Sequence, residues 1–225
     1  MTEKQPFDFI DNILDQLGTY RSVLCLNGEL PSADFFARYD LPIVAADGAT
    51  NQLAAMGIDP VAVIGDLDSV APALLDKYHS VCYPSQATGD FQKSLCYLSE
   101  KKLLPTIVLG TNGGYLDHVL NNISIMMHAH NVLYAPPLLG FLLKEAESKT
   151  ITLAVGTKIS LFGIPTANVS STGLKWELDK QTLSFPESNS CFNRTVNETI
   201  SLESHNGILL VLLYLQPIQD AGLTA

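Results

Sequence analysis

Short apolar runs alternate with segments of helical spacing over the first two-thirds of this 225-residue chain. Between the runs, apolar residues recur every three or four positions, as in Phe91, Leu95 and Leu98, which is typical of amphipathic helices. The runs themselves predict strands at residues 23–26, 43–46, 61–64, 80–83, 106–109 and 132–134. Strands that alternate with helices predict a mainly parallel sheet with helices on both faces, and ligands bind such sheets at the carboxyl ends of the strands.

The pattern changes at Ala135-Pro136-Pro137, a break that helices do not cross easily. The sequence beyond it predicts short strands that are separated by turn residues such as 155–157 and 205–207. These strands are expected at residues 141–144, 150–154, 158–162, 174–178, 199–202 and 208–214. A β-sandwich or barrel accounts for this second pattern. We therefore predict two domains, an α/β domain at residues 1–137 and an all-β domain at residues 138–225.

The composition argues against several classes of partner and location. The formal net charge is −10 without a cluster of Lys or Arg, so the surface repels nucleic acid. No segment reaches the roughly 18 apolar residues of a membrane span, and residues 1–20 lack the pattern of a signal peptide. The four cysteines lack metal-ligand spacing and are expected as buried free thiols. We therefore expect a cytoplasmic protein with no nucleic-acid or membrane partner.

Two of the predicted strands stop at an aspartate. Asp47 follows the run 43–46, and Asp66 and Asp68 follow the run 61–64 after one glycine. In extended backbone, the carboxylates of Asp66 and Asp68 project to one side, about 6 to 7 Å apart. One divalent cation can bridge them, and oxygen ligands completed by phosphates favour Mg²⁺ or Mn²⁺. Any single aspartate here could be a turn former or a helix cap, but two such motifs at adjacent strand ends favour a metal site for phosphate chemistry.

Two further loops carry candidate residues. Asp90 ends the loop 84–90 and begins a helix, where it is either a cap or a member of the site. Lys93, one turn later, could reach a phosphate, although a solvated position is the expectation for a single lysine. The glycines of loop 110–114 let backbone N–H groups approach a phosphate or an adenine edge, and Asp117-His118 follow at a helix start. This loop matches neither the dinucleotide-binding motif nor the P-loop.

Two side chains leave a choice between a structural and a functional role. Trp176, the only tryptophan, is either a core or interface anchor or a stacking platform for a flat heterocycle. His118 is either a packed or capping histidine or a catalytic one. The sequence pattern alone leaves both choices open.

Taken together and in this order, these motifs resemble the thiamine pyrophosphokinase family. The motifs are ADGATNQL at residues 46–53, IGDLDS at 64–69, GTNGGYLDHVLNNI at 110–123, STGLKW at 171–176 and SCFN at 190–193. The resemblance extends from about residue 22 to about residue 214. The combination is far more specific than any single motif.

The resemblance implies a Rossmann-like α/β catalytic domain, a C-terminal β-sandwich that binds thiamine, and a homodimer whose active sites are shared between subunits. The implied reaction transfers a pyrophosphoryl group from ATP to the hydroxyl of thiamine and releases AMP. The implied metal is Mg²⁺, held by Asp66 and Asp68, and the implied catalytic residues are Asp66, Asp68 and Asp90. The implied nucleotide-binding residues are Asp47, Asn51, Gly110, Thr111, Asn112, Gly113, Asp117 and His118. The implied thiamine contacts are Trp176, Ser190 and Asn193.

The chain departs from the family pattern at four positions. The family's acidic loop, D-x-T-D, has lost an aspartate at Ala87 and a threonine at Gly89. Tyr115 replaces the arginine that usually follows the glycine pair, and Phe192 occupies a position that is usually small. These departures leave two alternatives, a non-catalytic thiamine- or nucleotide-binding homologue and a related pyrophosphokinase that acts on another alcohol.

Overall fold

The computed structural model describes residues 8–85, 87–127 and 130–215. They divide into a first compact unit, Thr19–Ala135, and a second unit, which comprises the described residues of Met1–Gly18 and Pro136–Ala225. The N-terminal helix α1 (Asp8–Leu17) contacts a strand of the second unit and belongs to it. The predicted domain limits, residues 1–137 and 138–225, stay a prediction.

The first unit is a parallel sheet with intervening helices. Each pairing among its six strands is parallel, as the alternation of strands and helices predicted, and the strand order is β6-β5-β1-β2-β3-β4. The strands are β1 (Ser22–Cys25), β2 (Ile43–Ala46), β3 (Ala62–Gly65), β4 (Ser80–Cys82), β5 (Thr106–Leu109) and β6 (Val132–Ala135). The helices are α2 (Ala33–Arg38), α3 (Ala49–Ala55), α4 (Pro72–Leu75), α5 (Asp90–Glu100) and α6 (Leu116–Met126).

The core of the first unit lies along its central strands. Every residue of β1, β3, β5 and β6 is buried, because parallel strands that helices cover have no solvent face. The first residues of β1 and β5 are buried and polar, and they form a hydrogen bond in which the Ser22 hydroxyl donates to Thr106 Oγ1 at 2.8 Å. Of the four cysteines, only Cys25 is buried, so the expectation of buried thiols is wrong for Cys82, Cys96 and Cys191.

The second unit is built on two long antiparallel strands. Its strands are β7 (Leu138–Leu143), β8 (Glu147–Thr152), β9 (Lys158–Thr172), β10 (Gln181–Ser184), β11 (Ser190–Arg194) and β12 (Thr199–Tyr214). Strands β9 and β12 pair with each other, β10 and β11 add to β9, and β7 and β8 add to β12. The chain is therefore an α/β fold that has parallel strands in one unit and antiparallel strands in the other. Within the described ranges, no helix is long and apolar enough to cross a membrane.

Two expectations for the second unit are wrong. The turn predicted at 205–207 lies inside the single strand β12, where register shifts and the positive φ of Gly207 (77°) absorb the turn residues without ending the strand. The strand predicted at 174–178 is reduced to one isolated bridge between Leu174 and Thr195. The left-handed conformation of Gly173 (φ 82°) precedes that bridge and breaks the extended run.

Candidate active site

The strand order places a crevice at the carboxyl ends of β1 and β5. The chain runs outward from β1 through β2, β3 and β4, and then crosses back to β5 on the other side of β1. In parallel sheets, ligands bind at the carboxyl ends of the strands near such a switch point. Here the loop 27–29 follows β1 and the glycine-rich loop 110–114 follows β5.

These two loops are held together by close backbone contact. A Cβ atom on Gly28 would lie 2.0 Å from the carbonyl oxygen of Asn112, so only glycine fits there. The backbone N–H of Glu29 donates to the same oxygen at 2.8 Å, and Asn112 Nδ2 donates to Glu29 Oε2 at 3.1 Å. Gly110 adopts the left-handed conformation, with φ 71°. The glycines thus fix one wall of the crevice.

A cavity of about 480 Å³ occupies this position, within the first unit. Its lining includes five of the predicted nucleotide-binding residues, namely Asp47, Gly110, Thr111, Asn112 and His118. Asp90 also lines it, together with Asn27, Gly28, Gly48, Ser69 and the α6 residues Asn121 and Asn122. This volume lies within the range of small-molecule sites, which is roughly 300 to 1,000 Å³.

Three of the predicted nucleotide-binding residues support the loops around the cavity. Asn51 ties down the segment after β3, because its Nδ2 donates to Ser69 O at 2.7 Å and its Oδ1 accepts the N–H of Ala71 at 2.9 Å. Gly113 has φ 87° and packs against Glu29. Asp117 Oδ1 accepts the N–H of the following residue at 2.9 Å in the first turn of α6.

Three carboxylates converge at the edge of the sheet. Carboxylate oxygens of Asp47, Asp66 and Asp90 lie within 4.8 Å of one another, and we call these three residues the acidic cluster. Asp47 follows β2 in the left-handed conformation (φ 41°), and its N–H donates to Ile64 O at 2.8 Å. Gly65 gives the cluster room, because a Cβ there would lie 2.9 Å from the Asp47 Cβ and 3.3 Å from Asp90 Oδ1.

The deepest member of the acidic cluster is Asp47. This residue is only 6% exposed, and its Oδ1 has no hydrogen-bond partner. Burial raises the pKa of Asp47 above its ordinary value, a hydrogen bond from Ser69 opposes this, and the negative charges of Asp90, Asp68 and Asp66 raise it further. A buried carboxylate oxygen without a partner and two neighbouring carboxylates form a donor set that fits a hard divalent cation such as Mg²⁺.

Asp68 is not a member of the acidic cluster. Strand β3 ends at Gly65, and Leu67 is left-handed (φ 69°), so the extended geometry expected between Asp66 and Asp68 does not form. Asp68 Oδ1 instead accepts the hydroxyl of Ser69 at 2.9 Å. The geometric premise for pairing these two carboxylates is therefore wrong. The role of Asp68 as a metal ligand or catalytic residue stays a prediction.

The structure places Lys93 in a position that the sequence did not predict. It is 5% exposed, and its Nζ donates to Asp90 Oδ1 at 2.9 Å and lies 4.0 Å from Asp66 Oδ2, so the expected solvated position is wrong. Burial lowers the pKa of Lys93, but the hydrogen bond to Asp90 and the charges of the acidic cluster outweigh it and raise this pKa. The i,i+3 spacing from Asp90 on α5 was the available signal.

A second group of predicted residues lies together in the second unit. Asn193, which is fully buried, accepts the N–H of Trp176 at its Oδ1 (3.2 Å) and donates from Nδ2 to Trp176 O (2.7 Å). The same Nδ2 lies 3.2 Å from Ser190 Oγ. Trp176 is 55% exposed, which excludes a core anchor, and Lys175 Nζ lies 4.7 Å from its ring centroid.

Phe192, the residue before Asn193, is a second exposed aromatic residue of this unit. It is half exposed and left-handed (φ 54°), and its N–H donates to Ser160 Oγ at 3.1 Å. Its ring centroid lies 5.2 Å from that of Tyr214, and Lys158 Nζ lies 5.6 Å from it. We call Trp176 and Phe192 the aromatic surface of the second unit.

The loop after β1 was not predicted from the sequence to belong to the site. Asn27 lines the cavity, and its Oδ1 accepts a hydrogen bond from Gln52 Nε2 at 3.0 Å. Asn122 supports the glycine-rich loop by donating to Thr111 O at 3.3 Å. The dipeptide Asn27-Gly28 directly after a predicted strand was the signal that could have found this loop.

Comparison with known proteins identifies the family. Residues 37–134 match the family model described as thiamin pyrophosphokinase, catalytic domain, and residues 145–209 match the model described as thiamin pyrophosphokinase, vitamin B1 binding domain. Thiamine pyrophosphokinase 1 of Oryza sativa subsp. japonica is 28% identical over 174 residues, which cover 68% of this chain and 66% of the rice protein. Thiamine pyrophosphokinase 3 of the same plant is 30% identical over 146 residues, covering 56% and 55%. The chain thus spans just under two-thirds of the length of the first relative and about half of the length of the second.

Solved structures share the fold. The thiamin pyrophosphokinase from Candida albicans superposes with a TM-score of 0.75 at 18% identity, covering 93% of this chain and 92% of that chain. The yeast thiamin pyrophosphokinase superposes with a TM-score of 0.73 at 20% identity, covering 90% of this chain and 90% of the yeast chain. The two matched family domains together account for more than half of the chain. The chain therefore belongs to the thiamin pyrophosphokinase family of enzymes and contains both its catalytic and its vitamin B1 binding domain.

Proposed function

We propose that this chain is a thiamine pyrophosphokinase that transfers a pyrophosphoryl group from ATP to the hydroxyl of thiamine, with Mg²⁺ as cofactor. The observation that carries the proposal is the convergence of Asp47, Asp66 and Asp90 beside a cavity at the carboxyl edge of the parallel sheet. Membership of the family supports it. The proposal includes a Rossmann-like catalytic domain, a C-terminal β-sandwich and a cytoplasmic location.

The acidic cluster would hold the metal. Asp47, Asp66 and Asp90 supply hard oxygen ligands, and the unpartnered Oδ1 of Asp47 is the atom that most needs a cation. When bound, Mg²⁺ neutralises charge on the phosphates of the nucleotide. Asp68 remains a further candidate ligand from the loop after β3.

The glycine-rich wall of the cavity would position the nucleotide. Gly28 and Gly110 bring backbone close to the cavity without side-chain obstruction, which suits the approach of phosphate oxygens or an adenine edge. The 11-residue helix α6 begins at the same wall, and its N-terminal dipole favours anions. His118 lines the cavity from the first turn of this helix.

The proposed chemical step is an in-line displacement at the β-phosphorus of ATP. The thiamine hydroxyl oxygen bonds to that phosphorus, the bridging oxygen between the α- and β-phosphorus atoms leaves with AMP, and the hydroxyl proton passes to a carboxylate. Asp90 or Asp66 would accept this proton, because both carboxylates lie in the acidic cluster and both are partly exposed. Positioning and charge neutralisation supply most of the acceleration in such transfers.

The second unit would recognise thiamine. The half-exposed ring of Trp176 offers a face on which a flat, positively charged heterocycle can stack. Asn193 fixes the backbone of Trp176 through two hydrogen bonds, and Ser190 adds a hydroxyl beside it. These contacts make a preformed surface, since Asn193 is buried and its amide is already engaged.

We further propose a homodimer in which each active site draws on both subunits. Mixing Asp66→Asn with Trp176→Ala, assayed at low thiamine, tests this directly. If sites are shared, the mixture is more active than either variant alone at the same total concentration, because each mixed dimer contains one site with both residues intact. A mixture that is no more active than Trp176→Ala alone after subunit exchange contradicts a shared site.

The departures from the family pattern favour one second candidate, a binding homologue without catalysis. Tyr115 is 81% exposed where the family pattern has a cation, and Gly89 lines the cavity without the threonine hydroxyl. Because a Cβ on Gly89 meets nothing within 4 Å, the loop has room for the lost side chain. Restoring it with Ala87→Asp and Gly89→Thr is expected to tighten the apparent Mg²⁺ affinity, and an unchanged affinity contradicts the importance of these departures.

One assay separates the two candidates. The purified full chain is incubated with ATP, Mg²⁺ and thiamine, and AMP and thiamine diphosphate are followed by chromatography, with EDTA as the control. A kinase produces both products in equal amounts and stops when the metal is removed. Thiamine binding without any turnover contradicts the kinase and favours the binding homologue.

A further inference from the structure

Lys93 places a buried positive charge against the acidic cluster. Its side chain is 4% exposed, its Nζ donates to Asp90 Oδ1 at 2.9 Å, and the same atom lies 4.0 Å from Asp66 Oδ2. Lys and Asp side chains are almost never this deeply buried unless they are paired. The ammonium group is therefore part of the architecture of the cluster and not a surface charge that happens to lie near it.

The charges of the group can be counted from these contacts. With the three carboxylates ionised, the acidic cluster carries three negative charges and Lys93 carries one positive charge. Ionised carboxylates within 4.8 Å repel one another, and the ammonium group of Lys93 offsets part of this repulsion before any ligand arrives. The two negative charges that remain can be neutralised by one divalent cation.

The backbone places Lys93 where it can hold two of the three carboxylates. Asp90 and Lys93 lie three residues apart on α5, so their side chains share one helix face. Asp66 approaches from the loop after β3, a different element. Lys93 thus links the helix to the strand end at the point where the carboxylates converge.

We propose that Lys93 is a positioning residue that acts as the resident cation of the acidic cluster. Its ammonium group holds Asp90 and Asp66 beside Asp47 in the metal-free protein, and it limits the cluster to one divalent cation in the absence of nucleotide. The inference rests on the proposed function only in taking a divalent cation as the ligand of the cluster.

The test uses Mn²⁺ alone, titrated into the full chain without nucleotide or thiamine and followed by electron paramagnetic resonance. The wild-type protein binds one Mn²⁺ per chain. Lys93→Met removes a positive charge next to the site, so Mn²⁺ binds about tenfold more tightly or better. Lys93→Arg keeps the charge and binds Mn²⁺ within about twofold of the wild type.

Turnover provides the second readout. Lys93→Met is expected to lower kcat for thiamine diphosphate formation while it tightens Mn²⁺ binding, because the carboxylates lose the contact that orients them. Opposite changes in metal affinity and kcat distinguish positioning from a merely structural role, which would weaken both. Unchanged or weaker Mn²⁺ binding by Lys93→Met, or two bound Mn²⁺ per wild-type chain, overturns the proposal.

The chain offers a matched control lysine in the same unit. Lys77 also pairs with an aspartate, Asp59, at 2.7 Å, but this pair is exposed. Lys77→Met should leave Mn²⁺ affinity and kcat unchanged. An equal change in Lys77→Met would mean that net charge alone explains the effect, which contradicts the proposal.

Two comparisons distinguish a failure of this proposal from a folding defect and from a failure of the proposed function. A Lys93→Met chain that unfolds in metal-free buffer but folds with Mn²⁺ supports the proposal, since the metal replaces the missing charge. A chain that remains unfolded in both buffers overturns it. If the wild type makes no thiamine diphosphate but Mn²⁺ binding responds as expected, the proposed function fails and the role of Lys93 stands.

Discussion

The two units present their candidate residues in opposite ways. In the parallel unit, Asp47 and Lys93 are buried at the sheet edge, where charges interact strongly. In the antiparallel unit, Trp176 and Phe192 are half exposed. The difference suits two kinds of ligand, because phosphates and metals require charges that are fixed in advance, whereas a flat, positively charged heterocycle requires open aromatic area.

Chain topology explains the contrast. Parallel strands all end at one edge, so residues that follow β2 and β3 meet there without being close in sequence. In the antiparallel unit, the left-handed Phe192 lies at a register shift of β11, and it is half exposed although the next residue, Asn193, is buried. A change to the buried cluster should affect catalysis, and a change to the aromatic surface should affect thiamine binding.

The largest expected effect comes from Asp66→Asn. Removing one carboxylate of the acidic cluster should lower kcat by about 10²- to 10³-fold, the usual cost of losing one preorganised electrostatic contact. Thiamine affinity, measured by fluorescence quenching of Trp176, should stay unchanged. Asp59→Asn is the control, because Asp59 is an exposed carboxylate of the same unit. A wild-type kcat in Asp66→Asn would break the assignment of the cluster to catalysis.

Gly65→Ala tests whether the geometry of the cluster matters beyond its charge. The added methyl group would lie 2.9 Å from the Asp47 Cβ, so the carboxylates must shift, and kcat should fall by about 10- to 10²-fold. Gly89→Ala is a matched control in the cavity lining, since a Cβ there meets nothing within 4 Å. Equal kcat values for the two variants would show that the acidic cluster tolerates displacement.

Trp176→Ala tests the aromatic surface. Loss of the stacking face should raise KM for thiamine about tenfold and leave kcat within about twofold, whereas Trp176→Phe should retain much of the affinity. Phe185→Ala is the control, because Phe185 is another half-exposed aromatic residue of the second unit. A fall in kcat at saturating thiamine, with KM unchanged, would contradict a binding role.

The smallest effect concerns the pH dependence of stability. The raised pKa of Asp47 means that the folded, metal-free protein binds a proton more tightly than the unfolded chain does. The free energy of unfolding should therefore decrease as pH rises above 3.8, the ordinary value for Asp, through the folded pKa. Asp47→Asn removes this decrease, which chemical denaturation at a series of pH values can measure. Parallel pH profiles for the variant and the wild type would contradict the raised pKa.

The sequence predicted those features that depend on neighbouring residues. The runs before Asp47 and Asp66 formed strands, and both aspartates reached the predicted edge. It could not reveal that Leu67 adopts a left-handed conformation, which directs the chain so that Asp66 and not Asp68 joins the acidic cluster. The burial of Lys93 was equally hidden, because it depends on Asp66 arriving from another element.

The second unit shows the same limit. Residues 205–207 have the composition of a turn, and pairing with β9 keeps β12 continuous through them. Strand β8 pairs with the part of β12 before them and β7 with the part after them. The exposure of Trp176 also depends on tertiary structure, since its backbone is held by Asn193 from a strand 17 residues away. Both outcomes follow from long-range contacts that local patterns do not contain.

We propose that the acidic cluster catalyses the transfer of a pyrophosphoryl group from ATP to thiamine. ATP labelled at its β-phosphorus, incubated with the wild-type chain, Mg²⁺ and thiamine, tests it most directly. We expect that the label appears in thiamine diphosphate, that AMP is unlabelled, and that Asp66→Asn slows the transfer by about 10²- to 10³-fold. Label retained in ADP beside thiamine monophosphate, or labelled thiamine diphosphate formed at the wild-type rate by Asp66→Asn, would contradict it.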